Sequence, residues 1–463
     1  MTTFHSFRTA AAIARFHCTQ NHQRRTKSVL VIGTQKISSE KLMSVTNNHN
    51  AYKILLIIRR KFSRSFHTSV TASSATSSSS ENKISPCPKK FSFKVAASYV
   101  AKNKNFDFKN NISYLKLHGP NTPRVSWPNS ERLNIQNYAR PLSGQDAFFL
   151  SQIGDTSDVA LGIADGVGGW AELGVDPANF SHGICHYMKY AAITYEKEEW
   201  GSNLCAQALL QRGYENLYED QSVLAGGSTA CVAIARSNGI LDTANLGDSG
   251  YVQIRLNTIH SCSEPQVHSF NTPYQLSIIP EVTRSRVAAF GRPYLCDMPH
   301  DADINQHKLR HGDVLLLGTD GVWDNLSHSD ILEIVSQNML RAKAWVHTSS
   351  KEISVGKNFS EKVSIIPADE EANYSTTDDL PGNLQGILAL KITAEAKAAS
   401  VNVKRDSPFA REFRKFFPGE NWKGGKVDDI CVIVAIVCDE SSHNYCFYET
   451  INSENLRRIL FDY

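Results

Sequence analysis

Aspartates beside predicted β-strands are the residues of this sequence best placed to do chemistry. Asp146 directly precedes a predicted strand at 147–150, and Asp165 directly follows one at 159–164. The polar loop between them, 154–158, predicts a hairpin. In an antiparallel pair the two aspartates would be neighbours at one end of the ladder. The sequence therefore predicts two converging carboxylates at this end of a sheet.

A second group of aspartates follows the same rule further along the chain. Asp320 comes directly after a predicted strand at 314–318. Asp428 and Asp429 directly precede the apolar run 430–438, which is long and β-branched enough for a central strand. If these two strands also pair antiparallel, a second carboxylate pair forms at their shared end.

Oxygen ligands without a neighbouring histidine or cysteine suit Mg²⁺ or Mn²⁺ and do not suit zinc. Two such ions about 4 Å apart could bridge a water, lower its pKa and aim it at a phosphorus atom. Gly166, next to Asp165, would let a backbone carbonyl approach a metal ion without a side chain in the way. One Asp-Gly pair alone more often makes a turn. The two Asp-Gly sites, the hairpin and the Asp428-Asp429 pair together favour a metal centre.

The elements that must position these aspartates are short strands with helices between them. A second hairpin is predicted over 229–235 and 240–246, with Asn238-Gly239 as its tight turn, and the strand 251–256 would continue that meander. Hairpins with inserted helices, rather than strict βαβ alternation, indicate antiparallel sheets covered by helices. One helix is predicted to begin at Asp176-Pro177, and two more to cover 203–219 and 329–342. The stretch of about 343–400 is predicted to be a polar insertion at the rim, with a turn at 378–382.

The N-terminal segment has the composition of a mitochondrial transit peptide. Residues 1–80 contain 12 Lys and Arg and one acid, Glu40. This basic, acid-poor composition with scattered apolar positions is typical of presequences, and Arg59–Phe66 resembles a matrix-processing site. We therefore predict targeting to mitochondria, specifically the matrix, through the import machinery, with a Ser-rich linker up to residue 80. The alternative is a basic tail that targets nothing.

Composition excludes several other classes. The whole chain has a net charge of +3 and residues 1–80 have +11, so the remaining residues have −8. That acidic body disfavours nucleic-acid binding, which needs clustered positive charge. The longest strongly apolar run near the N-terminus, 54–58, is far shorter than the ~20 residues of a membrane span, so we predict no transmembrane segment. The ten cysteines show no close pairing that would indicate a zinc cluster or disulfide framework.

A set of short motifs rich in Asp and Gly occurs in order along the predicted folded region. They are GQDA (144–147), ADGVGGW (164–170), GSTA (227–230), ANLGDSG (244–250), TDGVWDN (319–325) and GGKVDDI (424–430). In this order they resemble the metal-dependent protein serine/threonine phosphatases of type 2C. With FNTPYQL (270–276), they look most like the mitochondrial branch of that family. The resemblance covers about 140–438, except the predicted insertion.

The resemblance implies an α+β fold, a four-layer α/β/β/α sandwich of two antiparallel sheets flanked by helices, with two Mg²⁺ or Mn²⁺ ions between the sheets. It implies that Asp165 bridges both ions and that the Gly166 carbonyl binds one of them. Asp320 and Asp428 would complete the other ion's ligands, and Asp146 would act mainly through a metal-bound water. The phosphatase domain would cover 91–440, followed by a tail at 441–463.

Some residues depart from the family pattern. Many members have a histidine, a proposed acid for the leaving group, where this chain has Val167, and a glutamate where it has Gln145. Asp428 is preferred to Asp429 as the ligand because the following strand then aligns best, which leaves Asp429 a supporting role. Arg140 is a candidate for the arginine that binds substrate phosphate; because its spacing is off by one, the alternative is a solvated surface arginine.

These features favour a phosphatase that hydrolyses phosphoserine and phosphothreonine in mitochondrial proteins through a metal-activated water. The resemblance also suggests metabolic or ubiquinone-biosynthesis enzymes as substrates. A second hypothesis is a catalytically inactive pseudophosphatase that acts as a binding or regulatory module. Pseudophosphatases usually lose metal-binding aspartates, and this sequence keeps all of them.

Overall fold

We describe a computed structural model of the chain over residues 90–117, 140–196, 204–281, 295–364 and 383–440. Every described residue belongs to the compact unit Ser85–Tyr463. The predicted transit peptide and linker, the predicted tail and the turn at 378–382 lie outside the described residues.

The described chain contains runs of consecutive strands with helices between the runs. The strands are β1 Phe91–Val100, β2 Ile112–Tyr114, β3 Asp146–Gln152, β4 Val159–Asp165, β5 Gly226–Ser228, β6 Ala230–Ala235, β7 Ile240–Leu246, β8 Gly250–Arg255, β9 Thr258–Cys262, β10 Val267–Ser269, β11 Thr272–Pro273, β12 Leu276–Ile278, β13 Asp303–Lys308, β14 Val314–Gly318, β15 Trp345–His347, β16 Ile353–Val355 and β17 Ile430–Asp439. The α-helices are α1 Pro177–Ile193, α2 Ala206–Glu219, α3 Asp320–Trp323, α4 His328–Arg341, α5 Phe359–Ser364, α6 Leu384–Ser400 and α7 Pro408–Phe416.

Two antiparallel sheets form the centre of the fold. One sheet has the strand order β2-β1-β17-β14-β8-β9, and the other has the order β13-β7-β6-β4-β3. In β17, Ile430, Val432 and Val434 face one apolar cluster, while Cys431 and Ile433 face another. Because successive strand residues point to opposite faces, the apolar residues at every position from 430 to 438 mean that β17 is covered on both sides.

Three apolar clusters separate four layers of secondary structure. The first packs α1 and α2 on the sheet that contains β3 and β4. The second packs α4 and α6 on the sheet that contains β14 and β17. The third lies between the two sheets and includes Phe93, Leu161 and Ile433. The α/β/β/α sandwich implied by the resemblance is therefore confirmed.

Local sequence signals explain where the covering helices begin. The Asp176 side chain accepts a hydrogen bond from the Ala178 amide, and Pro177 occupies the first turn of α1. Such a cap satisfies one of the backbone amides that the first helical turn leaves without a partner. Ser327 caps α4 through a reciprocal arrangement with Asp330. No helix in the described ranges is long and apolar enough to cross a membrane.

Two predictions about elements were wrong. The strand 251–256 does not continue the meander after β7, because β8 pairs with β14 and β9 in the other sheet. The stretch 343–400 is not only a rim insertion, since its last part, Leu384–Ser400, is the helix α6. Leu388 and Ile392 of that helix are fully buried against the sheet, so α6 belongs to the core of the fold.

Candidate metal centre

The first predicted carboxylate pair forms at the end of the β3–β4 hairpin. Asp146 and Asp165 lie directly opposite each other in the register of the two strands. The Asp165 amide donates a hydrogen bond to Thr229 Oγ1 at 3.0 Å, which fixes the end of β4 against the neighbouring strand segment. The predicted hairpin and its register are confirmed.

The second predicted group forms at the end of the β14–β17 pair. These strands are antiparallel, with Gly318 opposite Val432, so Asp320 just after β14 and Asp428 just before β17 reach the same end of the sheet. Gly321 is required beside Asp320, because a Cβ atom there would lie 2.0 Å from the Asp429 carbonyl oxygen. The backbones of the two acidic segments therefore pass in direct contact.

A threonine joins the two carboxylate groups across the sheets. Thr319 Oγ1 donates to Asp146 Oδ2 at 2.7 Å and accepts from the Cys431 amide at 3.0 Å. Thr319 is fully buried. The sequence analysis missed this residue, although its position directly before Asp320 was a usable signal. The bond brings the ends of the two sheets together, so the two predicted pairs make one site.

We call Asp146, Asp165, Asp320 and Asp428 the four-aspartate cluster. Burial, followed by the nearby Asp429 and Asp320 carboxylates, raises the pKa of Asp146 well above its usual value, although the Thr319 hydrogen bond opposes the shift. Burial and the carboxylates of Asp320 and Asp146 likewise raise the pKa of Asp165 well above its usual value. The cause of both shifts is that carboxylates crowd a poorly hydrated space, where a cation would stabilise their charged forms.

Two buried carboxylate oxygens in this cluster lack any hydrogen-bond partner. They are Asp146 Oδ1 and Asp320 Oδ1. A buried carboxylate oxygen without a donor is costly, because it has lost its water and gained nothing in return. Hard oxygen atoms of this kind are the ligands that Mg²⁺ and Mn²⁺ prefer, so the residues present fit a divalent cation.

The adjacent Asp428 and Asp429 make different contacts. Asp428 Oδ2 lies 3.2 Å from Lys426 Nζ, and burial and Asp320 raise the pKa of Asp428 against the opposing effect of Lys426. Asp429 accepts from the backbone amides of Lys102 at 2.7 Å and Gln145 at 2.9 Å. Asp429 thus ties the segment after β1 to the segment before β3. The assignment of Asp428 as the ligand and Asp429 as the supporting residue stays a prediction.

Lys426 is the main residue of the site that the sequence analysis did not single out. Its ammonium lies 2.5 Å from Asp320 Oδ2 and 3.2 Å from Asp428 Oδ2. Among the described residues, no three His, Cys, Asp or Glu side chains surround one point as a complete metal cage would. Lys426 could have been found from its spacing, because residues two apart in an extended segment, such as Lys426 and Asp428, point to the same side.

The segment after Asp165 is held close to the start of α1. The Gly166 amide donates to the Gln145 carbonyl at 3.1 Å, and a Cβ atom on Gly166 would lie 2.8 Å from the Pro177 carbonyl oxygen. Val167 donates its amide to the Gly227 carbonyl at 3.0 Å. Glycine at position 166 therefore lets the backbone pass beside the cluster where any side chain would collide.

Arg140 lies beside the start of α1. Its guanidinium donates to Asp176 Oδ2 at 3.3 Å and to Asn179 Oδ1. These contacts engage Arg140 with the N-terminal turn of α1 rather than with the four-aspartate cluster. That Arg140 binds substrate phosphate stays a prediction, and these contacts give it no support.

Comparisons with known proteins identify the family of this chain. The family model described as protein phosphatase 2C matches residues 136–352. The chain is 31% identical over 304 residues to "Protein phosphatase 2C homolog 7, mitochondrial" of Saccharomyces cerevisiae, covering 65% of this chain and 77% of that protein. It is 33% identical over 297 residues to "Protein phosphatase PTC7 homolog" of Xenopus laevis, covering 64% and 82% respectively. Among solved structures, the photosystem II phosphatase PBCP matches at 26% identity and a TM-score of 0.43, covering 63% of this chain and 91% of that one.

The resemblance stated from the motifs is therefore confirmed, including the likeness to the mitochondrial branch, since the yeast relative is named as a mitochondrial protein. The matches run through both acidic segments of the β3–β4 hairpin and through Asp320. With relatives above 30% identity covered over more than three quarters of their length, the chain belongs to the protein phosphatase 2C family of metal-dependent protein serine/threonine phosphatases.

Proposed function

We propose that this protein removes phosphate from phosphoserine and phosphothreonine side chains of mitochondrial proteins by metal-assisted hydrolysis. The observation that carries this proposal is the meeting of two carboxylate pairs at adjoining sheet ends, with buried oxygens of Asp146 and Asp320 that lack donors. When bound, two divalent cations would neutralise the phosphate and activate a water for attack at phosphorus.

Each residue of the site has a proposed task. Asp165 would bridge both ions, and the Gly166 carbonyl would bind one of them. Asp146 would act mainly through a metal-bound water. Asp320 and Asp428 would bind the other ion. Thr319 supports this arrangement because its hydrogen bond to Asp146 Oδ2 fixes that carboxylate and leaves Oδ1 for the site.

The leaving alkoxide needs a proton, and the side chain after Gly166 cannot supply it. Val167 is apolar and its amide is already bonded to the Gly227 carbonyl. Solvent is then the proposed proton source for the serine or threonine oxygen. Hydrolysis consumes one water and yields the free hydroxyl side chain and inorganic phosphate.

Dependence on a divalent cation is the direct test of this function. We expect purified full-length protein to release inorganic phosphate from phosphoserine and phosphothreonine peptides in Mg²⁺ or Mn²⁺, and to lose this activity in excess chelator because the four-aspartate cluster then lacks its cations. Initial rates of phosphate release over a Mn²⁺ titration provide the measurement, and restoring Mn²⁺ after chelation is the control.

Two outcomes would contradict the proposal in different ways. Activity that persists in excess chelator would exclude a metal-assisted mechanism. A folded wild-type protein that is inactive at every Mg²⁺ and Mn²⁺ concentration would favour the pseudophosphatase hypothesis. Nothing in the described site favours that alternative, since all four aspartates are present and converge.

A mitochondrial location agrees with the name of the yeast relative, and we propose the matrix as the compartment where the protein meets its phosphoprotein substrates. The support is the acid-poor, basic composition of residues 1–80 and the Arg-rich sequence Arg59–Phe66. Import through the mitochondrial translocation machinery would follow from such a presequence.

Removal of this presequence predicts where the mature protein begins. We expect N-terminal sequencing of the protein purified from mitochondria to find a first residue between about 60 and 81, because processing would follow the Arg-rich sequence and precede the folded region. Protein recovered from the cytosol with Met1 intact would contradict the targeting proposal. Replacing the arginines of Arg59–Phe66 by glutamine should shift or block the cleavage, which separates processing from non-specific proteolysis.

A further inference from the structure

Lys426 makes a set of contacts that the proposed reaction does not use. Its Nζ atom lies 2.5 Å from Asp320 Oδ2, 2.7 Å from Asp324 Oδ2 and 3.2 Å from Asp428 Oδ2. An ammonium group has three N–H donors, so one carboxylate is available for each donor. The ring of Phe409 lies on another side, with its centroid 5.4 Å from Nζ. The side chain is only 17% exposed.

The backbone of Lys426 is fixed to the same loop that carries two of these aspartates. Its amide donates to Asn325 Oδ1 at 2.9 Å, and its carbonyl accepts from Asn325 Nδ2 at 2.8 Å. Asn325 is fully buried and also donates to the Gly321 carbonyl at 2.9 Å. One amide side chain therefore holds Lys426 in register with the segment from Asp320 to Asp324.

More carboxylates lie near this ammonium than the two that are proposed metal ligands. Asp320 and Asp428 are proposed ligands, but Asp324 is not, and the partly buried Asp248 adds a fourth carboxylate nearby. Burial and the carboxylates of Asp320 and Asp324 raise the pKa of Asp248 to about 8, with Lys426 opposing them. Three carboxylate oxygens within 3.2 Å of Nζ thus enclose the ammonium on the side of the metal centre.

We infer that Lys426 is a positioning residue that acts as a permanent internal cation beside the metal centre, and that it prevents Asp324 and its neighbours from binding a divalent cation beyond the proposed two. This inference rests on the proposed function for the number of ions. Its effect on the metal-free protein does not depend on catalysis, because the carboxylates repel one another whether or not the enzyme turns over.

The test compares Lys426→Met, which keeps the length of the chain but removes the charge, with Lys426→Arg, which keeps the charge. Lys423→Met is the matched control, since Lys423 is exposed and lies three residues earlier. Each full-length protein is melted in excess EDTA and in Mn²⁺. Bound Mn²⁺ is counted by equilibrium dialysis and elemental analysis.

We expect Lys426→Met to melt about 5–10 °C below wild type in EDTA, because removing one partner of a buried ion pair leaves uncompensated charge. Mn²⁺ should restore most of this loss, and the variant should bind about one more Mn²⁺ per chain than wild type. Lys426→Arg should be much closer to wild type in melting temperature and in the number of bound Mn²⁺ ions. Lys423→Met should match wild type in both.

Several results would overturn the inference. One is a Lys426→Met protein with wild-type melting in EDTA and a wild-type ion count. Another is an unchanged ion count with tighter Mn²⁺ binding, which would mean that the lysine only competes with the proposed ions. If Lys426→Met does not fold in EDTA, the double variant Lys426→Met/Asp324→Asn should fold because it has one carboxylate fewer, and its failure to do so would also contradict the inference. An inactive wild type would refute the proposed function while leaving the melting comparison valid.

Discussion

Replacement of Asp165 by asparagine should reduce Mg²⁺- or Mn²⁺-dependent phosphopeptide hydrolysis by about a thousandfold or more. Asp165 lies directly opposite Asp146 and is the proposed bridge between two dications. An amide has no charge to hold two dications together, and several kcal/mol of transition-state stabilisation would be lost, each 1.36 kcal/mol being about tenfold in rate. Initial rates over a Mn²⁺ titration measure the loss, and circular dichroism checks the fold.

The same chemical change at the other end of the hairpin provides the control for Asp165→Asn. Asp158 accepts from the Ser237 amide at 2.8 Å and lies next to the start of β4, away from the cluster. Asp158→Asn should therefore keep its activity and its Mn²⁺ dependence. A folded Asp165→Asn protein with wild-type turnover would rule out the bridging role.

Local patterns were sufficient to predict the aspartates and their strands. Asp146 and Asp165 could be paired from the sequence because a short hairpin fixes its own register. The run 430–438 could be assigned to a central strand because it is apolar at consecutive positions, and the structure covers both of its faces. In both cases the physical cause lies within a few residues along the chain.

The errors arose where distant segments decide the structure. The β8 strand leaves the meander because β13, whose Asp303 lies opposite Asn245, already pairs with the free edge of β7. Polar, exposed β13 gives no strong local signal of that pairing. The α6 helix was missed because it is buried around most of its circumference, which leaves only a narrow exposed stripe that includes Lys391 and Glu395.

Two residues of the site were missed for the same reason. Thr319 and the Asp146 that it contacts are 173 positions apart in the sequence, and Lys426 and Asp320 are 106 positions apart. Nearby residues indicate only that Thr319 adjoins Asp320 and that Lys426 points to the same side as Asp428, not which distant carboxylate each residue contacts. The sequence could place carboxylates at strand ends, but only the packing of the two sheets shows which hydroxyl and which ammonium complete the site.

Asp320→Asn should weaken the enzyme in a different way from Asp165→Asn. It removes one proposed ligand from one ion and leaves the bridge intact, so high Mn²⁺ should restore part of the activity through mass action. Loss of even an outer-shell partner typically costs about 10–100-fold in metal affinity, so the Mn²⁺ concentration for half-maximal activity should rise at least about tenfold. Titrating Mn²⁺ against the rate of phosphopeptide hydrolysis measures this shift.

Asp324→Asn separates the metal contribution of Asp320 from its contact with Lys426. Asp324 also contacts the Lys426 ammonium, at 2.7 Å, but is not a proposed ligand. If Asp320→Asn acts through the metal ion, Asp324→Asn should need no more Mn²⁺ than wild type. If the two variants instead show the same raised Mn²⁺ requirement, the effect comes from losing the lysine contact and Asp320 is not a metal ligand. If Mn²⁺ rescues Asp165→Asn as fully as Asp320→Asn, the distinction between a bridging and a single-ion carboxylate is wrong.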